Sequence, residues 1–250
     1  MSGRLYVVGL GPADERWLTL EAQQALAEAQ DVIGYEPYVA RVPMREGQTR
    51  LASDNRVEID RAREALARTQ SGRVVAVVSG GDPGVFAMAA AVFEAVEAGA
   101  PEWRSLDIRV IPGVSAMQAA AARLGAPLGH DFCAISLSDN LKPWDVIEKR
   151  LEHAARGDFV MALYNPASRA RPTRIADAFA LLRRFLPGDT FVGLAKSVGR
   201  EKEAFILTQL DRVDPAQVDM STLVIIGARG TRRIARDDAR DWVYTSRKAG

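Results

Sequence analysis

A chain of 250 residues, 48% hydrophobic and 26% charged, has the make-up of an ordinary globular protein, with enough length for one large α/β domain or two smaller ones. Its 33 Lys and Arg against 32 Asp and Glu leave a net charge of +1, which gives no overall pull toward nucleic acid or a membrane surface. One cysteine, Cys133, excludes an internal disulfide and a cysteine-only cluster, and two histidines, His130 and His153, argue against a transition-metal site. The N-terminus lacks the apolar region of a signal peptide, and no apolar run approaches the ~20 residues that span a bilayer, so a cytoplasmic protein is expected.

Leu5–Leu10 is a short apolar run that reads as a first strand, ending in Gly9-Leu10-Gly11-Pro12-Ala13-Asp14. This begins like a dinucleotide fingerprint and then fails it: Asp14 stands where the third glycine belongs, and Pro12 stiffens the loop. The loop is either a rigid floor under another ligand or a simple turn. Thr19 is placed to cap a helix running to about Gln30, and Asp31–Tyr35 reads as a second strand. Tyr35-Glu36-Pro37-Tyr38 then sets two aromatic rings and a carboxylate at a strand end, as a functional group or as a packed loop with Glu36 in solvent. Residues 41–55 are polar and irregular, and Ile59–Gln70 returns to helical spacing.

Val74–Val78 is a continuous apolar run suited to a strand buried on both faces, as in a parallel sheet. Ser79-Gly80-Gly81-Asp82-Pro83 breaks it, and Val85, Met88, Val92 and Val96 recur at helical spacing before a stop at Gly99. In open α/β sheets ligands bind beyond the carboxyl ends of the strands. The glycines of this turn therefore either admit a ligand to the backbone or simply join a strand to a helix. A strand at Asp107–Ile111, a helix at Val114–Leu124 and a glycine-rich break at 125–129 close the first half, and the domain boundary is placed there, giving domains 1–125 and 126–250. The second half predicts strands at Phe132–Leu137, Phe159–Asn165, Thr190–Ser197, Ala204–Gln209 and Thr222–Gly227, with helices at Pro143–Ala155 and Pro172–Phe185. No helical pattern separates the last strands, which predicts antiparallel pairing and a mixed sheet. Trp144 and Phe179 fall on apolar helical faces, as core residues do. Arginines cluster after strand ends and in the last 24 residues, either to bind a polyanionic small molecule or as a solvated surface.

Three motifs in order, Val8–Asp14 (VGLGPAD), Ser79–Met88 (SGGDPGVFAM) and Ile111–Phe132 (IPGVSAMQAAAARLGAPLGHDF), resemble the tetrapyrrole (corrin/porphyrin) methylases. The stretches at Ser136–Leu151, Ala162–Pro172, Ala195–Glu203 and Ser221–Arg232 are similar to those of the ring-contracting methylases of corrin synthesis, so the resemblance runs over nearly the whole chain. It implies two α/β domains of the tetrapyrrole methylase type, the N-terminal sheet mainly parallel and the C-terminal sheet mixed, with S-adenosylmethionine in the cleft between them. It further implies a homodimer acting on a tetrapyrrole, with no metal, no iron–sulfur cluster, no nucleic acid and no membrane. The activity it implies is methylation of a precorrin at C-17 with ring contraction in cobalamin synthesis; the alternative is another corrin-pathway methylation at a different ring carbon. Outside the family, the rivals are a nicotinamide-dependent reductase and a nucleotide-binding module without activity.

Position by position, the resemblance assigns Pro12, Gly80, Gly81, Asp82, Val85, Ser115, Ala116, Leu163, Tyr164 and Val198 to the cofactor, with Asp82 suited to ribose hydroxyls or the methionine ammonium. It assigns Arg169, Arg171 and Arg200 to the acidic side chains of the substrate. Ring contraction calls for a general base, for which Glu36, His130 and Asp139 are the candidates. The family's porphyrinogen methylases carry a carboxylate where Glu36 stands, and a lysine near Ser53 that this chain lacks.

Overall fold

The computed structural model describes residues 3–54, 57–167, 172–237 and 239–248. The chain divides into two compact units, Met1–Ala116 and Met117–Gly250.

In the first unit, strands β1 (Arg4–Gly9), β2 (Asp31–Tyr35), β3 (Thr49–Ser53), β4 (Val74–Ser79) and β5 (Asp107–Ile111) form one sheet in the order β3-β2-β4-β1-β5. All neighbours are parallel. Helices α1 (Leu20–Glu28), α2 (Glu36–Val39), α3 (Glu58–Gln70) and α4 (Met88–Ala98) connect them. The alternation of side chains along a strand explains the unbroken apolar runs. Leu5, Val7, Val75 and Val77 pack with α3 and α4 on one face. Tyr6, Val8, Ala76 and Val78 pack with α1 on the other. Thr19 caps α1 as its position predicts, accepting the Ala22 N–H at 3.1 Å, and Gly99 ends α4. The polar stretch 41–55 is not wholly irregular: it contains β3, an edge strand paired with β2. Its half-exposed sequence, TRLAS, carries no apolar run to mark it.

The second unit holds α5 (Ala116–Leu124, whose first residue belongs to the first unit), β6 (Gly125–Ala126), β7 (Phe132–Ser136), α6 (Trp144–Arg156), β8 (Val160–Tyr164), α7 (Arg174–Leu182), β9 (Phe191–Lys196), β10 (Ala204–Gln209), β11 (Thr222–Ile226), β12 (Thr231–Ile234) and β13 (Trp242–Thr245). Its main sheet runs β10-β9-β11-β8-β7. Only β7 and β8 are parallel; β11 and β9 pair antiparallel on one side of β8, and β10 closes the edge. Between β9, β10 and β11 there is no α-helix, only a short 3-10 turn at Pro215–Gln217, and the pairing is antiparallel as expected. Phe179 is fully buried among Ile147, Leu151, Met161 and Leu163, and Trp144 packs half-buried at the rim of that core. The glycine-rich stretch expected to divide the domains carries β6, which pairs in parallel with β13. The basic C-terminal stretch supplies β12 and β13 rather than a plain solvated tail. Thr245 Oγ1 donates to the Pro127 carbonyl at 2.5 Å and ties this small sheet down. Among the described residues no helix is long and apolar enough to cross a membrane.

Asp31, at the start of β2, is fully buried. Both its oxygens meet the Arg73 guanidinium, and Arg68 stands 3.5 Å away. The paired Arg73 holds the Asp31 carboxyl below the usual range against the opposing effect of burial. In the second unit burial works to raise the Asp219 carboxyl, but Lys196, Ser221 and Thr222 outweigh it and hold it at about 2. Both groups are depressed, so their stabilisation is complete above the unfolded carboxyl value of about 4 and is lost as pH falls through the folded values. Asp31→Asn is expected to cost about 2–3 kcal/mol at neutral pH. It is also expected to flatten the decline in urea stability measured below about pH 4.

Candidate functional site

Strands β1 and β4 are neighbours, yet the helices that follow them leave on opposite faces of the sheet, α1 with one core and α4 with the other. That divergence opens a crevice at the carboxyl end of the two strands, the place where doubly wound sheets bind ligands. Two of the sequence motifs, Gly9–Asp14 and Ser79–Asp82, meet there. Gly11 N–H donates to the Gly81 carbonyl at 3.1 Å, and Gly81 N–H to the Gly11 carbonyl at 2.8 Å. Leu10 N–H donates to the Ser79 carbonyl at 2.9 Å. The third motif joins from β5, on the other side of β1.

The glycines in this cluster serve different ends. A Cβ on Gly9 would stand 2.7 Å from both the Gly113 nitrogen and the Gly81 carbonyl oxygen. A Cβ on Gly113 would collide with that same oxygen. The three strand ends therefore pack backbone to backbone. A Cβ on Gly80 would stand 2.7 Å from the ring of Tyr38, which lies against the turn and meets Tyr35 edge to face at 5.4 Å. Gly81 differs: its Cβ would meet nothing closer than 3.8 Å, but its φ of +74° is the left-handed conformation that glycine adopts without cost.

Asp82 holds the turn together. Its Oδ1 accepts the Gly84 N–H at 2.8 Å and its Oδ2 accepts the Gly113 N–H at 3.0 Å. Each oxygen keeps a second lone pair for a ligand hydroxyl or ammonium group. Gly80, Gly81, Asp82 and Val85 are half-buried at the crevice, whereas Pro12 and Ser115 are buried and Ala116 is half-buried. Arg41 was not anticipated. Its guanidinium donates to the carbonyls of Leu10, at 3.0 Å, Gly11, at 2.8 Å, and Ala13, and so fixes the first loop from the end of α2. An arginine in a polar stretch gives no sign in sequence of which carbonyls it will reach.

The carboxyl ends of the parallel strands form a continuous row. Ser53 of β3 pairs with Tyr35 of β2, and Glu36 follows, exposed, in the first turn of α2. Arg61, in the first turn of α3, is 5% exposed. Its Nε donates to Ser53 Oγ at 3.0 Å, its Nη2 to the Asp54 carbonyl at 2.6 Å, and its Nη1 reaches Met88 Sδ at 3.3 Å. Burial pushes this guanidinium below its ordinary value.

In the second unit the corresponding sheet edge carries Ser136, Tyr164, Asn165 and Ser197. Tyr164 is half-buried, and its hydroxyl accepts the Met117 N–H at 3.0 Å at the start of α5. Ser197 has φ near +50°, where a serine is strained, Asn165 has a similar φ that asparagine tolerates, and Asn165 Nδ2 donates to Ser136 Oγ at 3.0 Å. Leu163 is fully buried and Val198 nearly so. Arg200 is exposed in the β9–β10 loop. Arg169 and Arg171 lie outside the described residues.

The three candidate bases have different surroundings. Asp139 is committed to Arg174, whose Nε and Nη2 lie 2.9 and 2.7 Å from its Oδ2. His130 accepts the Asp131 N–H at its Nδ1, at 2.7 Å, and precedes β7, about 13 Å of strand away from the Ser136 edge. Glu36 lies at the sheet edge of its unit that carries the glycine cluster. Cys133 is half-buried, and burial pushes its thiol up to about 11, which leaves it a poor nucleophile. A hollow of about 500 Å³ in the first unit has Glu15, Arg16, Leu18, Gln23, Val42 and Arg45 among its lining residues, and none of the assigned residues.

Three substitutions separate the roles of the glycines. Gly113→Ala is expected to cost about 1–3 kcal/mol in urea unfolding, because backbone must move to admit the methyl group. Gly81→Ala is expected to cost about 1 kcal/mol through its positive φ alone, and Gly81→Asn less, because asparagine tolerates that conformation. Equal costs for Ala and Asn at 81 would show that space, and not φ, selects the glycine.

Residues 4–214 match the model of the tetrapyrrole (corrin/porphyrin) methylases. The chain is 54% identical over 247 residues to a precorrin-3B C(17)-methyltransferase of Sinorhizobium sp, covering 99% of this chain and 97% of that one. It is 44% identical over 228 residues to a probable cobalt-factor III C(17)-methyltransferase of Salmonella typhimurium, covering 91% and 93%. The crystal structure of the methyltransferase CobJ superposes with a TM-score of 0.94 at 51% identity, covering 98% of this chain and 100% of that one. The glycine-packed crevice and the matched motifs belong to one pattern, and the chain is a member of the tetrapyrrole (corrin/porphyrin) methylases.

Proposed function

We propose that the protein transfers a methyl group from S-adenosylmethionine to C-17 of precorrin-3B and contracts the macrocycle to precorrin-4, a step of cobalamin synthesis. The observation that carries this is the 54% identity to a precorrin-3B C(17)-methyltransferase over 99% of the chain. A homodimer in the cytoplasm is part of the same reading, and light scattering of the purified protein tests the dimer.

The crevice residues fit the cofactor. The turn at 80–82 offers peptide groups bare of side chains beside a carboxylate with spare lone pairs, a suitable acceptor set for ribose hydroxyls or the methionine ammonium. Pro12, Val85, Ser115 and Ala116 flank it; Leu163, Tyr164 and Val198 are assigned to the same ligand by the family pattern. When bound, S-adenosylmethionine supplies an electrophilic methyl group on a good leaving group. The protein's part in methylation is therefore to orient C-17 in line with that group and to keep water out. Arg200, with Arg169 and Arg171, is proposed to meet the acidic side chains of the macrocycle.

Ring contraction needs the proton of the C-20 hydroxyl to be removed, so that a bond migrates and the carbon leaves the ring as an acetyl group. Glu36 is our choice among the three candidates, because it lies at the sheet edge of its unit that carries the glycine cluster and is neither ion-paired to an arginine nor set beyond a strand's length. It acts as a general base in this reading.

Incubation with S-adenosylmethionine and precorrin-3B, followed by mass and absorbance, tests the assignment. One added methyl group with the chromophore of a contracted ring is the expected result. A methylated but uncontracted ring overturns the ring-contracting step, and a protein that binds cofactor yet methylates nothing overturns the substrate. Glu36→Gln is expected to lower contraction by about 10²–10⁴-fold, so that methylated, uncontracted product accumulates. Full contraction by that variant moves the base elsewhere.

A further inference from the structure

Two charged side chains are buried among the described residues, Asp31 and Arg61, and they are treated in opposite ways. Asp31 is matched by arginines at the amino-terminal edge of the first sheet. Arg61, at the carboxyl edge, has no carboxylate oxygen within ion-pair distance among the described residues. The groups it bonds directly are a hydroxyl, a carbonyl and a thioether. The carboxylates of Asp54 and Glu58 contribute only at longer range and are exposed. Burying an uncompensated cation costs several kcal/mol, and an apolar residue would fill the same space without that cost. A charge kept there has a use that packing does not supply.

Ser53 indicates the use. It is half-buried at the end of an edge strand, beside Tyr35 and next to the turn that carries Glu36. Its oxygen accepts from Arg61, and its own proton meets no acceptor among the described residues. A hydroxyl that accepts from a guanidinium is polarised and becomes a stronger donor. We propose that Arg61 and Ser53 form a carboxylate-recognising pair, in which the buried guanidinium polarises the Ser53 hydroxyl and the hydroxyl donates to an acidic side chain of the tetrapyrrole. Ser53 touches the substrate, and Arg61 is a positioning residue that acts through it. The pair helps set which way round the macrocycle lies at this edge. The inference rests on the tetrapyrrole reading above.

The test measures binding of uroporphyrin, a tetrapyrrole with eight carboxylates, by quenching of the fluorescence of the four tryptophans, alongside the KM for precorrin-3B and the affinity for S-adenosylhomocysteine. Ser53→Ala is expected to weaken uroporphyrin binding and raise the precorrin-3B KM by about fivefold to tenfold, with unchanged S-adenosylhomocysteine affinity and a modestly lower thermal stability, since the buried Arg61 Nε loses its acceptor. Arg61→Met is expected to give the same loss, with no further loss when combined with Ser53→Ala, and Arg61→Lys to restore part of it. Unchanged tetrapyrrole affinity in Ser53→Ala overturns the pair. So does a parallel loss of S-adenosylhomocysteine affinity, which would mean that the cluster only shapes the cofactor turn through Met88. A wild-type protein that binds uroporphyrin but leaves precorrin-3B unchanged overturns the proposed reaction while the variants still decide the pair.

Discussion

The reciprocal main-chain bridge between Gly11 and Gly81 is the contact on which the first unit's site depends. Two peptide groups bond each other across the ends of β1 and β4, at the point where the chain's helices part to opposite faces. Such a contact requires that neither strand end carry a side chain in the way, and Gly9 and Gly113 extend the requirement to the neighbouring strand. The bridge fixes the height and direction of the turn that carries Asp82. Asp82 in turn fixes the β5 loop through the Gly113 N–H. Three loops that are far apart in sequence thereby become one surface, held by backbone hydrogen bonds and one carboxylate, with little that can rotate.

Charge is distributed between the two edges of the same sheet by function. At the amino-terminal edge Asp31 and Arg73 close the α3–β4 turn against β2, a buried ion pair with both partners present. At the carboxyl edge Arg41 is used on loop carbonyls and Arg61 on neutral acceptors, while Arg50, from the start of β3, reaches the carbonyls of Val39, Val42 and Pro43. The guanidinium fork is suited to this work because it can serve several acceptors at once.

Of the candidate bases, position in the fold separates what residue type could not. A glutamate, a histidine and an aspartate are equally plausible acceptors of a proton when read as letters. The Asp139–Arg174 pair joins residues 35 apart in the chain, and His130 falls at the opposite end of its strand from Tyr164, neither of which local sequence reveals.

The apolar runs at β1 and β4, the Thr19 cap, the Gly99 stop and the missing helices after β9 were all written locally. A strand buried on both faces must be apolar throughout, and a helix end must satisfy its own N–H groups, so these features can be read within a few residues. The glycine motifs likewise announced a turn that brings backbone close to something. What the sequence could not say was what that something is. Gly9 and Gly113 meet the carbonyl of Gly81, and Gly80 meets the ring of Tyr38, only because the strand order places β4 beside β1 and β2. The edge strands β3 and β12, and the pairing of β13 with Gly125–Ala126, escaped for a related reason: a polar, half-exposed strand becomes a strand through its partner, and the partner is chosen by tertiary packing. Arg61 is the extreme case, since an arginine in the first turn of an amphipathic helix looks solvated until the fold closes β3 and α4 over it.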